Sequence, residues 1–174
     1  SEIAGREGTH AYIRQMGERI FHKRNVFTVG EVSVSSTQEL LDYVASDRDE
    51  FDMAIPFVAP VVEIHTWSPR KMKEDIWEGY RLLKDCGWWA RFLSNHDKPR
   101  QVSLYGSEGE HWEASAKLLA LLVHTLPGTP FLYQGEELGM TNMAFSSIEE
   151  YNDPEAKNRY RQLLLEGVPP EEAL

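Results

Sequence analysis

Apolar residues at Ile13, Met16 and Ile20 recur at helical spacing and predict a helix over about residues 9–22. Asn25 breaks that pattern before the apolar run Val26-Phe27-Thr28-Val29, which predicts a first strand. Ser36 stands three residues ahead of Glu39, the spacing of a capping box, and Leu40, Leu41 and Val44 supply the buried stripe of the helix it opens. A second strand is expected over about Phe51–Val58. Ser68-Pro69 reads as an N-cap followed by proline in the first helical position, with Met72, Ile76, Tyr80 and Leu83 on one face and Cys86-Gly87 as the stop. Trp88–Leu93 predicts a third strand. The run Leu118-Leu119-Ala120-Leu121-Leu122-Val123 is apolar all round and predicts a well-buried helix, which Pro127-Gly128-Thr129-Pro130 turns into a fourth strand through Tyr133. Strand and helix thus alternate in the manner of consecutive βα units on a parallel sheet, an α/β fold. Asp153-Pro154 starts a further helix bearing Tyr160, Leu163 and Leu164, and Val168-Pro169-Pro170-Glu171-Glu172 starts another just before the last residue.

Length and charge narrow this picture. With 174 residues the chain can build one core but falls short of a complete eight-fold barrel, which takes about 250. Eighteen Lys plus Arg against 28 Asp plus Glu leave a net charge of -10 and no basic run, which argues against nucleic acid as a partner. No stretch reaches the roughly 18 consecutive apolar residues of a membrane span, and residues 1–25 lack the layout of a signal peptide. A lone cysteine, Cys86, suits a reducing compartment or indifference to redox, so a cytoplasmic location is expected. The chain begins without methionine and ends inside an element, so a fragment of a larger protein is expected; removal of a tag would also explain the start.

In parallel α/β architectures ligands bind at the carboxyl ends of the strands. The predicted strand ends read Val29-Gly30-Glu31, Ser94-Asn95-His96-Asp97 and Gln134-Gly135-Glu136-Glu137. Carboxylates converging on one rim suit acid/base chemistry on an uncharged polyhydroxylated substrate. Each has an ordinary structural explanation as well. Glu31 could be a cap or a solvated loop residue, Asn95-His96-Asp97 an Asx-turn with a surface histidine, and Glu136 and Glu137 the acidic start of a helix. Asp52 fits a paired structural carboxylate better than a catalytic one. His10, His22, His65, His111 and His124 show no ligand spacing, so neither a metal nor a cofactor is expected within this chain. Trp67, Trp77, Trp88, Trp89 and Trp112 are expected to pack in the core or between helices rather than to serve as sugar platforms.

Three segments carry a resemblance. Phe27-Thr28-Val29-Gly30-Glu31-Val32 resembles the fifth-strand segment of glycoside hydrolase family 13, the α-amylase family. The stretch Phe92-Leu93-Ser94-Asn95-His96-Asp97-Lys98-Pro99-Arg100 is similar to its seventh-strand segment, and the stretch from Gly128 through Gln134-Gly135-Glu136-Glu137 to Met140-Thr141-Asn142 to its eighth. With Tyr151-Asn152-Asp153-Pro154-Glu155 they look most like the oligo-1,6-glucosidase, dextran glucosidase and α-glucosidase branch.

The resemblance implies the second half of a TIM (β/α)8 barrel, strands five to eight, over residues 1–150, with 151–174 opening the irregular region around the eighth helix. It makes Glu31 the general acid/base, which needs a pKa raised by its surroundings, and Asp97 the transition-state stabiliser. His96 and Asn95 would bind the same sugar, and Arg100 would border the mouth of the site. The implied partner is an isomaltose- or maltose-type oligosaccharide, cleaved with retention from the non-reducing end. Retention also needs a nucleophilic carboxylate, which the family carries on the fourth strand; nothing before Val26 matches that segment. The isolated chain is therefore expected to be inactive and to need the N-terminal half of the barrel. Phe51–Val58 departs from the branch, lacking its Phe-Glu-His ending. A non-catalytic sugar- or partner-binding segment, a transglycosylase or sucrose isomerase, and an unrelated doubly wound domain remain the alternatives.

Overall fold

The computed structural model describes residues 8–58 and 68–174. His65 and Trp67 lie outside the described residues. The chain divides into two compact units, Ser1–Met140 and Thr141–Leu174.

In the first unit, helix α1 (Thr9–Met16) runs on through a π-helical turn, Gly17–Phe21, before strand β1 (Val29–Val34). Helix α2 (Thr37–Val44), strand β2 (Met53–Val58), helix α3 (Pro69–Leu83) and strand β3 (Ala90–Arg91) follow. Helices α4 (Gln101–Tyr105) and α5 (Trp112–Thr125), strand β4 (Thr129–Pro130) and a 3-10 turn, Glu136–Leu138, complete the unit. Strand β1 pairs in parallel with β2 from Val29↔Met53 to Val34↔Val58, and β3 pairs in parallel with β4 at Ala90↔Thr129 and Arg91↔Pro130. One parallel bridge, Ala54↔Trp89, joins β2 to the start of β3. The strands thus form two parallel pairs, β1-β2 and β3-β4, linked by that bridge, with helices in every crossover, as the alternating pattern predicts.

The core lies between the strands and their helices. Val32, Val34, Ala54 and Trp89 from the strands meet Leu40, Tyr43 and Val44 of α2 and Leu83 of α3. Along β1 burial alternates: Gly30, Val32 and Val34 are buried, whereas Val29, Glu31 and Ser33 are exposed. Gly30 is required by its neighbour, because a Cβ there would stand 2.4 Å from the ring of Phe51.

Helix starts follow the capping signals. Ser36 Oγ accepts from Glu39 N at 3.2 Å, and the Glu39 carboxylate accepts from Ser35 N at 2.7 Å, one residue earlier than a strict capping box. Ser68 Oγ accepts from Lys71 N at 3.2 Å, with Pro69 in the first turn of α3.

Three expectations need correction. Strand β1 begins at Val29, not Val26: Val26 and Phe27 are exposed, and the strand follows the alternation Gly30-Glu31-Val32-Ser33-Val34, the period of a chain buried on one face. Strands β3 and β4 are two residues each, shorter than the apolar runs suggest. In β4, Thr129 N and Phe131 N donate to Trp89 O and Arg91 O, while Pro130 between them has no N–H for the opposite edge. Helix α5 buries only Leu119 and Val123; Leu118 and Leu121 are 65% and 60% exposed, because an outer-layer helix buries the stripe that meets the strands and no more. Among the described tryptophans, Trp89 is buried in the core; Trp88 and Trp112 donate to Thr129 Oγ1 and Gly139 O, and Trp77 lies exposed against Tyr80.

In the second unit, a 3-10 turn, Ile148–Glu150, is held by a capping box between Ser147 and Glu150. Asp153 Oδ1 caps helix α6 (Pro154–Leu165) by accepting from Glu155 N at 2.8 Å, and α7 (Pro170–Ala173) ends the chain.

Candidate active site

Glu31 is the third residue of the six in β1, not a residue beyond its end as the sequence suggests, because the strand starts at Val29 and runs on to Val34. It shares the exposed face with Val29 and Ser33, opposite the face that packs on the helices. Its height is set by the register Glu31↔Ile55 and by a clip where the strands begin. There Asp52 Oδ2 accepts from both Thr28 N and Thr28 Oγ1 at 2.7 Å, and Asp52 N donates to Thr28 Oγ1 at 2.9 Å. Asp52 is thus the paired structural carboxylate that its place in the pattern suggests.

Beyond β3 the chain turns sharply. Asn95 Oδ1 accepts from Asp97 N at 2.9 Å and Asn95 O from Lys98 N at 3.3 Å, an Asx-turn. The turn throws His96 and Asp97 outward, 74% and 56% exposed along their side chains, with His96 Nε2 and Asp97 Oδ2 3.4 Å apart. The turn and the functional reading are compatible: the turn is what presents the pair. Asn95 spends its side-chain oxygen on the turn.

The β3 loop is tied to the loop after β4. Ser94, buried, donates through Oγ to Glu136 Oε1 at 2.5 Å, and Glu136 Oε2 accepts from Tyr133 N at 3.2 Å. The Arg100 guanidinium donates to Gln134 O and lies 4.5 Å from the centre of the Tyr133 ring. Glu137 Oε2 accepts from Gly135 N at 2.8 Å, the helix-start role that its position suggests. Gly135 has φ +92°, and a Cβ there would stand 2.3 Å from Met140 Sδ, so only glycine makes this turn. Burial pushes the Glu136 carboxyl above the ordinary carboxylate range; its bonds to Ser94 and Tyr133 and the charge of Arg100 pull it back, and Glu137 adds to the rise.

The structure therefore joins Asn95, His96 and Asp97 in one turn, sets Arg100 against the neighbouring loop, and presents Glu31 on β1, in the other strand pair. The Ser94–Glu136 bond was not legible: its partners are 42 residues apart, and neither side chain carries a local signal for the other. Among the described residues no cluster of three His, Cys, Asp or Glu side chains could hold a metal ion, and no helix is long and apolar enough to cross a membrane. Chemically, an exposed carboxyl on one strand and an exposed anion beside an imidazole on another can exchange a proton with a neutral hydroxylated ligand and stabilise positive charge on it.

Residues 4–166 match the family model described as alpha amylase, catalytic domain. An oligo-1,6-glucosidase of Bacillus cereus is 35% identical over 165 residues, 90% of this chain and 30% of that protein. A trehalose-6-phosphate hydrolase of Bacillus subtilis is 37% identical over 169 residues, 91% of this chain and 30% of that protein. Among solved structures, the trehalose-6-phosphate hydrolase of Bacillus licheniformis superposes with a TM-score of 0.82 at 38% identity, over 96% of this chain and 32% of that one. The isomaltulose synthase of Protaminobacter rubrum does so with a TM-score of 0.84 at 31% identity, over 97% and 32%. The chain spans about a third of the length of these relatives. It belongs to the α-amylase family, glycoside hydrolase family 13, and carries part of that family's catalytic barrel.

Proposed function

We propose that this chain forms strands five to eight of the (β/α)8 barrel of a retaining α-glucosidase that cleaves short α-1,6- or α-1,4-linked glucans from the non-reducing end. Glu31 is the general acid/base, protonating the glycosidic oxygen and then deprotonating the incoming water. Asp97 stabilises the oxocarbenium-like transition state, with His96 and Asn95 against the same sugar and Arg100 bordering the mouth. One observation carries the reading: Glu31 and Asp97 are exposed on β1 and beyond β3, in two parallel strand pairs joined by the Ala54↔Trp89 bridge, while Glu50, Asp52 and Glu136 are consumed by structural partners. The nucleophile comes from sequence outside these residues, so the chain alone does not turn over. The barrel portion extends to about residue 150, with 151–174 opening the irregular helical region, and the single Cys86 suits a cytoplasmic enzyme.

Hydrolysis of p-nitrophenyl α-glucoside tests the proposal. The 174-residue chain is expected to be inactive and a protein completing the barrel active, with Glu31→Gln abolishing most of that activity; turnover by the chain alone overturns the need for an outside nucleophile. The relatives include isomaltulose synthases, and product analysis with sucrose separates hydrolysis from isomerisation.

A further inference from the structure

Glu136 and Ser94 stand outside the chemistry assigned above, yet the Glu136 carboxylate accepts hydrogen bonds from both the loop after β3 and the loop after β4. Its residue is 7% exposed and Ser94 1%, so the bond between them is shielded from water, where a charge-assisted hydrogen bond is strongest. One carboxylate oxygen holds Ser94, the residue directly before Asn95-His96-Asp97, and the other holds Tyr133 N in the β4 loop. Tyr133 is also the ring beneath Arg100, three residues beyond Asp97. The turn bearing His96 and Asp97 is thus fastened at both ends to one neighbouring loop: through Ser94 before it and through Arg100 after it.

We propose that Glu136 is a positioning residue, a buried bridge that fixes the His96–Asp97 turn against the β4 loop and so sets where Asp97 stands toward its ligand. This deepens the glucosidase reading and rests on it for the role of Asp97; the bridge itself does not depend on that role. Burying a carboxylate costs free energy that a purely apolar contact would avoid, and its raised pKa registers that cost. What the carboxylate provides is two acceptors in one plane, aimed at two different loops. A glutamine can reproduce this. Its Oε1 accepts from Tyr133 N, and its Nε2 donates to Ser94 Oγ, which reverses from donor to acceptor. Alanine can make neither bond.

The test is site-resolved amide hydrogen exchange on the 174-residue chain, which needs no activity. The probes are the two hydrogen-bonded amides of the turn, Asp97 N–H and Lys98 N–H. In Glu136→Ala their exchange is expected to rise about tenfold or more, as for loss of a hydrogen bond to a charged group, while amides of α2 and β1 keep their protection. Glu136→Gln is expected to restore slow exchange, and Ser94→Ala, which leaves the Tyr133 bond in place, to match Glu136→Ala in the turn. Adding Glu136→Gln to Ser94→Ala is expected to restore nothing. Unchanged exchange at Asp97 and Lys98 in both alanine variants overturns the bridge, as does a rise spread equally over α2 and β1. Should Glu136→Ala not fold, Ser94→Ala against wild type decides alone. In a barrel completed by the remaining sequence, a lowered kcat in Glu136→Ala with restoration by Glu136→Gln supports the positioning of Asp97. Inactivity of the wild type there fails the glucosidase reading and leaves the exchange result standing.

Discussion

Two sets of acidic residues in the βα units stand in opposite circumstances, one ahead of β2 and one on the exposed face of β1 and in the turn after β3. Ahead of β2, Glu50 is 4% exposed and fully engaged: Arg14 Nη1 donates to it at 2.6 Å, His10 Nδ1 lies 2.7 Å away and Arg48 Nη2 3.8 Å. Asp52, two residues on, is taken up by Thr28. In the other set Glu31 and Asp97, with His96, face solvent. Carboxylates that tie elements together are spent on partners within the fold, whereas those left facing solvent are free to meet a ligand. A carboxylate's role is therefore set less by its type than by whether the fold leaves its oxygens unspent.

Exchanging the two sets should expose the contrast most sharply. In a completed barrel, Glu31→Gln is expected to lower kcat by about 10² to 10⁴, and Asp97→Asn by about 10² to 10³. Neither should shift the thermal midpoint of the chain measurably, since both side chains are exposed. A loss of stability in either variant would break the comparison. Glu50→Ala should do the reverse, costing about 2 kcal/mol through loss of the charged hydrogen bonds that Glu50 makes with Arg14 and His10, roughly 4–8 °C for a chain of this size. Urea unfolding followed by circular dichroism measures it. Asp52→Ala, at an exposed clip, should cost about 1 kcal/mol on the same measurement.

Local signals carried far in this sequence. Ser36, Ser68 and Asp153 each cap the helix that they introduce, because a cap needs only a side chain and an amide two or three residues on. The order of the strands and the exposure of Glu31 and of His96–Asp97 follow the same logic of short motifs. The run Val26-Phe27-Thr28-Val29 has strand composition but lies mostly ahead of β1, whose period shows in buried Gly30, Val32 and Val34 alternating with exposed Glu31 and Ser33. The contacts that hold the site's surroundings join residues 24, 40 and 42 apart, at Thr28–Asp52, His10–Glu50 and Ser94–Glu136. Such pairs exist only once the sheet has brought the loops together. Glu136 shows the limit best: it occupies a turn start, as its sequence neighbours predict, and its second, longer-range task leaves no trace there.

That second task also predicts the smallest effect, a pH dependence. Burial holds the Glu136 carboxyl above its ordinary value of 4.5 in the folded chain, so the unfolded chain releases this proton first as pH rises. The group's contribution to stability is then fully present below 4.5 and is lost as pH climbs through the raised folded value. The groups facing it set how far the window extends: Arg100 and the bonds from Ser94 and Tyr133 narrow it, while Glu137 widens it. Glu136→Gln has no proton to release, and the other carboxylates titrate in both proteins. Subtracting the two stability curves, measured by urea unfolding from pH 7 down to pH 4, isolates Glu136. Wild type should gain on Glu136→Gln as the pH falls. A difference that runs the other way would mean that the charge is better solvated by Ser94, Tyr133 N and Arg100 than burial penalises it, and would move Glu136 from the strained end of the comparison to the satisfied one, beside Glu50.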